Sequence, residues 1–360
     1  MLIDKKHFRT IWENEDCGDI CIIDQALLPH SFEIINITNV KQTAKIILDM
    51  NVRGAPLIGA TGAYGMCLAV RENSSDKFIN ESYHILLETR PTAINLKWAL
   101  DKIRGELIKT PENQRVKKSY EIAREICDND VKICENIGIY GFELIKNLYQ
   151  KNNRPINILT HCNAGWLAAI DWGTATAPMY IAQKNNVPIH VWVDETRPRN
   201  QGAHITSYEL KNQNIDHTVI VDNAGGHLMQ RNLVDLCIVG TDRTTYTGDV
   251  TNKIGTYLKA LAAKDNDVPF YVALPSTTID WDIRDGLKEV NIEERNFDEV
   301  NYVQGLDDQN IIRSVRITPQ NTKTSNYAFD TTPRRLISGL ITENGVLDPN
   351  EKSIKKAFNR

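Results

Sequence analysis

The sequence predicts an α/β protein, with a doubly wound parallel sheet in its C-terminal half and a mainly helical N-terminal region that opens on short strands. Two observations predict this. After Asn153, short β-rich runs alternate with helix-like segments. Strand, helix and strand at that spacing mean parallel strands joined by right-handed crossovers. Between about residues 41 and 150, apolar residues instead recur at spacings of three and four, the period of a helix.

The first forty residues hold two short apolar runs, DICIID and FEIINI, which suit strands of a small antiparallel sheet. Helical periodicity follows in KQTAKIILDM, APLIGATGAYGMCLAV, AINLKWALDKIRGEL and the long run KSYEIAREICDNDVKICENIGIYGFELIKNLYQ. The parallel strands are INILT (156–160), PIHVWV (188–193), HTVIV (217–221), VDLCIVG (234–240) and VPFYVAL (268–274). Helices are expected between them in LAAIDWGTATAPMYIAQKNN, HITSYELKNQ, GGHLMQRN and NKIGTYLKALAAKD. A chain of 360 residues favours two packed units. The change of pattern puts their boundary near 150, giving an N-terminal domain over 1–150 and a C-terminal domain over 151–360.

Composition narrows the function. The chain is 41% hydrophobic and 24% charged, with a net charge of −4, ordinary values for a soluble globular protein. That balance leaves no electrostatic footprint for nucleic acid and no polybasic patch for a membrane. The N-terminus is polar and charged, unlike a secretory signal. The longest uncharged apolar run, Ile156 to Ile170, is too short to span a bilayer and contains His161. The seven cysteines are odd in number and include no CxxC pair, which reads as reduced thiols in a cytosolic protein. Cys17 and Cys21 lack two further ligands nearby, so no metal site is expected.

In open α/β sheets ligands bind beyond the carboxyl ends of the strands. Here those ends run into His161-Cys162-Asn163, Asp194-Glu195-Thr196-Arg197, Asp222-Asn223, Thr241-Asp242-Arg243 and Pro275-Ser276. Five converging polar ends make a site. No GxGxxG follows any of the strands, which argues against a dinucleotide-binding dehydrogenase.

Read in order, NVRGAPLIGATGAYG, TRPTAINL, LTHCNAG, VWVDETRPRNQGA, DNAGGHLM, VGTDR, GDVTNKIGTY, YVALPSTTID and AFDTTPRRLISGLITENG resemble the S-methyl-5-thioribose-1-phosphate isomerase family over about residues 40–348. The wider superfamily includes ribose-1,5-bisphosphate isomerase and regulatory subunits of the translation-initiation exchange factor. The resemblance implies an N-terminal domain, a Rossmann-like C-terminal domain and a homodimer, and the chemistry of its substrate class requires no redox cofactor or metal. It implies that Cys162 and Asp242 are the catalytic pair. It places substrate contacts on Arg53, Gly54, Ala55, Arg90, Gln201, Asn252 and Lys253. Departures from the family pattern include Trp166 after the THCNAG turn, GTDR for GADR, VTNK for VANK and DNAGGH for DNMAGH.

The implied activity converts 5-methylthioribose 1-phosphate to 5-methylthioribulose 1-phosphate, a step of methionine salvage. Alternatives are 5-deoxyribose 1-phosphate or ribose 1,5-bisphosphate as substrate. A non-catalytic subunit that senses a sugar phosphate or nucleotide is a further alternative, but those relatives lack the paired cysteine and aspartate.

Such chemistry needs an acid at the ring oxygen, a group that handles the C2 hydrogen and a phosphate clamp. Burial of Asp242 after an apolar strand would raise its pKa and suit it to proton transfer. Cys162 reads as the start of a helix, whose dipole would enrich the thiolate. The residues leave open whether Cys162 takes the C2 proton in an enol-phosphate route or assists a direct hydride shift. Arg53 and Arg90 each precede a helix start and suit an anion. Lys253 is expected to open the next helix and Gln201 to meet sugar hydroxyls. Glu195 and Arg197 are expected to pair with each other, and His161 and His227 to flank the site as structural groups. Trp166 and Trp192 read as core packing, or as a wall for an apolar 5-substituent. The run EVNIEERNFDEV (289–300) is expected to be a solvated face or loop. Cys67, Cys127, Cys134 and Cys237 lie in apolar patterns and read as inert core thiols.

Overall fold

The computed structural model describes residues 1–14 and 16–360. The N-terminal region begins with a hairpin of β1 (Leu2–Ile3) and β2 (Lys6–His7). Strands β3 (Ile11–Glu13), β4 (Ile20–Ile23) and β5 (Ile34–Ile37) form the expected antiparallel sheet. Five helices follow: α1 (Val40–Leu48), α2 (Ala55–Glu72), α3 (Asp76–Leu87), α4 (Ile94–Lys109) and α5 (Arg115–Asn152).

Helix α3 is the addition to the expected set. Ser75 caps it by accepting from Phe78 N, but its buried face is only Ile79, Ser82, Tyr83 and Leu86, too thin a stripe to stand out in sequence. Helix α2 is central, with every residue from Leu57 to Val70 buried. The long helix α5 serves two cores. Its first half, with Tyr120, Ile122 and Ile126, packs among the helices. Its second half, with Ile137, Phe142 and Ile145, packs under the large sheet.

The C-terminal region supplies β6 (Ile156–Thr160), α6 (Ala177–Lys184), β7 (Ile189–Asp194), α7 (Ser207–Asn212), β8 (His217–Ile220), α8 (Ala224–Gln230) and β9 (Leu236–Val239). Then come β10 (Arg243–Thr245), β11 (Val250–Lys253), α9 (Thr256–Asp265), β12 (Phe270–Ala273) and β13 (Ile279–Asp280). The chain ends with α10 (Gly286–Glu289), α11 (Asp298–Asn301), β14 (Tyr302–Leu306), β15 (Ile312–Arg316), β16 (Phe329–Thr332), β17 (Gly339–Thr342), β18 (Gly345–Leu347) and α12 (Glu351–Ala357).

The large sheet has the order β18-β17-β12-β9-β6-β7-β8. All its neighbours are parallel except β17 and β18. From β6, the chain fills one side of the sheet through β7 and β8, then crosses back to β9 and fills the other. The strand order therefore reverses between β6 and β9, the switch point at which such sheets open a crevice. A second sheet, β13-β10-β11-β16, stands beyond the end of β9. The expected helices between these strands are shorter than their sequence runs. Only Ala177–Lys184 of the 167–186 run is α-helical, because Trp172 and Gly173 take positive φ angles that no helix accepts.

Candidate active site

One pocket lies at the switch point, and its lining includes Arg53, Gly54, Ala55, Arg90, Cys162, Gln201, Asp242, Asn252 and Lys253. The residues expected at the site are thus neighbours, drawn from both halves of the chain. Cys162 follows β6, Asp242 follows β9, and Asn252 and Lys253 close β11.

Cys162 does not open a helix. It sits in a loop with φ of 67°, and the first turn after it is a 3-10 turn at Trp166–Ala168. Hydrogen bonds hold this left-handed conformation. Its N–H donates to Thr196 Oγ1 at 2.9 Å, and its carbonyl accepts from Thr206 Oγ1 at 2.7 Å. The thiol is 7% exposed and donates to Gln201 Oε1 at 3.3 Å. Burial pushes its pKa up, against the pull of Arg53 and Lys253. The site therefore stabilises a neutral thiol, and the expected dipole-fed thiolate is not what this geometry supports.

Asp242 is half-buried, and its N–H donates to Thr251 O at 3.0 Å across the second sheet. Burial raises its carboxyl pKa, opposed by Lys253, Arg90 and Arg53. Its neighbour Arg243 pairs with Asp280 at 3.2 Å, so Asp242 stays available to the pocket. Lys253 closes a strand rather than opening a helix, with its ammonium 4.8 Å from the Phe329 ring. Burial lowers its pKa, while Cys162 and Asp242 raise it.

Arg53 precedes α2 as expected. Its guanidinium donates to both the side-chain and backbone oxygens of Asn163, the latter at 2.6 Å, and its Nε is buried without a partner. Gly54 has φ of 96°, and a Cβ there would stand 2.4 Å from Ala168 O, so only glycine lets α2 begin this close to the Cys162 loop. Arg90 lies in a turn, with α4 starting later at Ile94. It pairs with Glu293 at 3.1 Å, and its Nε is also buried and unpartnered. Two arginines with spare buried donors, beside the start of α2, suit a phosphate.

Other expectations shift. Arg197 donates to Val300 O at 3.0 Å instead of pairing with Glu195. Trp166 is fully buried in the core, Trp192 donates to Leu233 O, and neither lines the pocket. His227 sits on α8, away from the lining residues, whereas His161 does line it. His161 is fixed by Asp194 at 2.8 Å and Ile254 O at 2.9 Å. His161, Asp194 and Asp222 cluster closely enough to suggest a metal. The Lys259 ammonium already lies 3.1 Å from Asp194, so an internal cation serves that cluster.

The run 289–300 is not simply solvated. Its Glu293 and Glu299 engage Arg90, Arg295 and Arg199. Thr206 and Glu293 have structural parts in the site that sequence reasoning missed, and Asn163 and Thr196, placed at strand ends, have holding roles it did not assign.

Fold and site together define a Rossmann-type α/β protein with an anion-ready crevice at its switch point. A model described as the Initiation factor 2 subunit family matches residues 51–349, and the chain belongs to that family. Within it, the chain is 54% identical to a methylthioribose-1-phosphate isomerase of Brucella anthropi and 53% identical to one of Sinorhizobium medicae, each across 99% of both chains. Among solved structures it resembles 5-methylthioribose 1-phosphate isomerase from Pyrococcus horikoshii, with a TM-score of 0.84 and 35% identity over 98% of this chain and 96% of that one. It also resembles the translation initiation factor eIF-2B subunit delta from A. fulgidus, with a TM-score of 0.80 and 35% identity over 98% of this chain and all of that one.

Proposed function

We propose that this protein is an intramolecular aldose–ketose isomerase that converts 5-methylthioribose 1-phosphate to 5-methylthioribulose 1-phosphate. The observation that carries this reading is the meeting of Cys162 and Asp242 in one crevice with Arg53, Arg90 and Lys253. The full-length likeness to isomerases of that name supports it. Residues 1–150 and 151–360 serve as two units, the first contributing the arginines and the second the thiol and carboxyl.

The anomeric oxygen of the substrate is phosphorylated, so the ring opens only if an acid protonates the ring oxygen. Cys162, a neutral thiol that already donates a hydrogen bond, gives that proton as the C1–O bond breaks. Asp242, whose carboxylate form Lys253, Arg90 and Arg53 favour against burial, takes the hydrogen from C2 as a proton. The C2–H electrons form the C1–C2 double bond of an enol phosphate. Asp242 returns the proton to C1, and the C2 hydroxyl proton goes to the Cys162 thiolate, leaving a ketone at C2. Atoms and charge balance without an external oxidant or reductant. Arg53 and Arg90 hold the phosphate, and Gln201 and Asn252 meet sugar hydroxyls.

An adjoining cavity of about 460 Å³ shares Met50, Arg53 and Gln201 with the pocket and adds Leu28 and Ile205. Those side chains suit an apolar 5-substituent. The cavity's Arg199 is paired with Glu299 at 3.1 Å, which suits a second phosphate poorly.

No helix among the described residues is long and apolar enough to cross a membrane. A cytosolic homodimer completes the proposal. The deciding experiment compares kcat/KM for 5-methylthioribose 1-phosphate, 5-deoxyribose 1-phosphate and ribose 1,5-bisphosphate. The first should lead the second by about 10- to 200-fold, the usual worth of a small apolar group. Preference for the bisphosphate, or turnover of none, would overturn the assignment.

A further inference from the structure

Arg90 enters the pocket already engaged. Its Nη2 donates to Glu293 Oε2 at 3.1 Å, while its Nε finds no acceptor. The Glu293 carboxylate is only 21% exposed. Its other oxygen accepts from Arg295 Nη1 at 3.1 Å. Arg295 in turn holds Glu299 at 2.8 Å, and Glu299 holds Arg199 at 3.1 Å. Arg90, Glu293, Arg295, Glu299 and Arg199 thus form a ladder of alternating charge that ends inside the pocket. Arg53 differs: its partner is the neutral Asn163, and it takes part in no ion pair among the described residues.

We infer that Glu293 is a resident stand-in for the substrate's phosphate, neutralising Arg90 and yielding that guanidinium when a phosphate arrives. The inference rests on the phosphate-bearing substrate proposed above. Two anions beside one guanidinium repel in a partly desolvated pocket, so phosphate and Glu293 compete for Arg90. Glu293 can yield because Arg295 remains as its partner. The ladder then loses one rung and keeps its alternation. Glu293 is therefore a specificity-determining residue. It weakens binding of any phosphate that cannot offer Arg90 a better acceptor than a carboxylate.

The opposite expectation follows if Glu293 merely positions Arg90, because its loss would then weaken anion binding. The test is calorimetric titration of inorganic phosphate into the full-length protein at low ionic strength. The set comprises wild type, Glu293→Gln, Arg90→Gln and the double variant. Glu293→Gln should tighten phosphate by about threefold or more, the scale of a partly exposed ion pair. That gain should vanish in the Arg90→Gln background. Unchanged or weaker binding by Glu293→Gln overturns the inference, as does an equal gain without Arg90 or no phosphate binding by any of the four. Should Glu293→Gln fail to fold, Glu293→Asp, one methylene shorter towards Arg90, must also tighten phosphate, and failure to do so counts against it. Inorganic phosphate is not turned over. Absence of isomerase activity would sink the proposed function while leaving these titrations to judge Glu293.

Discussion

Glu209, on α7, is fully buried beneath the loop that carries Cys162. It accepts from Leu167 N at 2.8 Å and Tyr180 Oη at 3.0 Å, and Gly165 packs so close that a Cβ would stand 1.6 Å from its carboxylate. Burial pushes its pKa from 4.5 up to about 7, against those hydrogen bonds and the more distant Arg53. A buried acid with a raised pKa favours the folded state while protonated. Its stabilisation is complete below pH 4.5 and is lost as pH rises through about 7. A shift of this size corresponds to about 3 kcal/mol. Glu209→Gln keeps the shape and an acceptor oxygen but cannot ionise. At pH 8 the variant should therefore exceed wild type by up to about 3 kcal/mol, or about 4 °C in Tm for a chain of this length. At pH 4.5 the two should agree within about 1 kcal/mol, since both side chains are then neutral. Asp130, also raised to about 7 by burial, is present in both proteins and cancels in the difference. Urea or thermal unfolding at pH 4.5, 6 and 8 reads the effect. A variant that is less stable at pH 8 than at pH 4.5, relative to wild type, would refute the reasoning. It would mean that the ionised carboxylate is stabilised by Arg53 more than burial opposes it.

Cys162→Ala and Asp242→Asn should each lower kcat/KM for 5-methylthioribose 1-phosphate by at least about a hundredfold, with unchanged circular dichroism. Turnover near the wild-type rate in either variant would remove that residue from the chemistry. In the wild type, activity should rise with pH as Asp242 loses its proton, with a midpoint above the ordinary carboxyl value of 3.8, because burial raises it. It should fall again as Cys162 ionises above its ordinary 9.0, and a pH–rate profile with its acid limb at or below 3.8 would contradict the assignment of roles.

Much of the architecture was readable because it rests on periodicity. Strands such as Ile156–Thr160 and Leu236–Val239 are buried on both faces, so they appear as continuous apolar runs. The meeting of Cys162 with Asp242 was also readable, since both follow strands that flank the switch point. What failed was local geometry. The glycine after Cys162-Asn163-Ala164 suggested a strand-to-helix turn, but the side chains of Thr196 and Thr206 hold the loop open, and neither is close in sequence. Lys253 sits where NKIGTYLKALAAKD looks helical throughout, yet β16 pairs with Val250–Lys253 and delays the helix to Thr256. Glu293 was hidden for the same reason. A charged run looks solvated until a partner 203 residues away, Arg90, is brought beside it.

The loss of the expected helix dipole changes what the thiol can do. A dipole would have supplied fixed positive charge at Cys162 and favoured the thiolate whatever else was bound. Here the forces lowering its pKa come mainly from Arg53 and Lys253, side-chain charges that an incoming phosphate would neutralise. Binding should therefore push the thiol further towards its protonated form, just when a proton is needed at the ring oxygen. The same neutralisation acts on Asp242, whose cations are Lys253, Arg90 and Arg53. That carboxylate becomes a stronger base once the substrate is in place. In the proposed mechanism the phosphate would anchor the sugar and also raise the proton affinity of both groups. A dipole-activated cysteine would instead rest as the thiolate, with no proton to give to the ring oxygen of a sugar 1-phosphate.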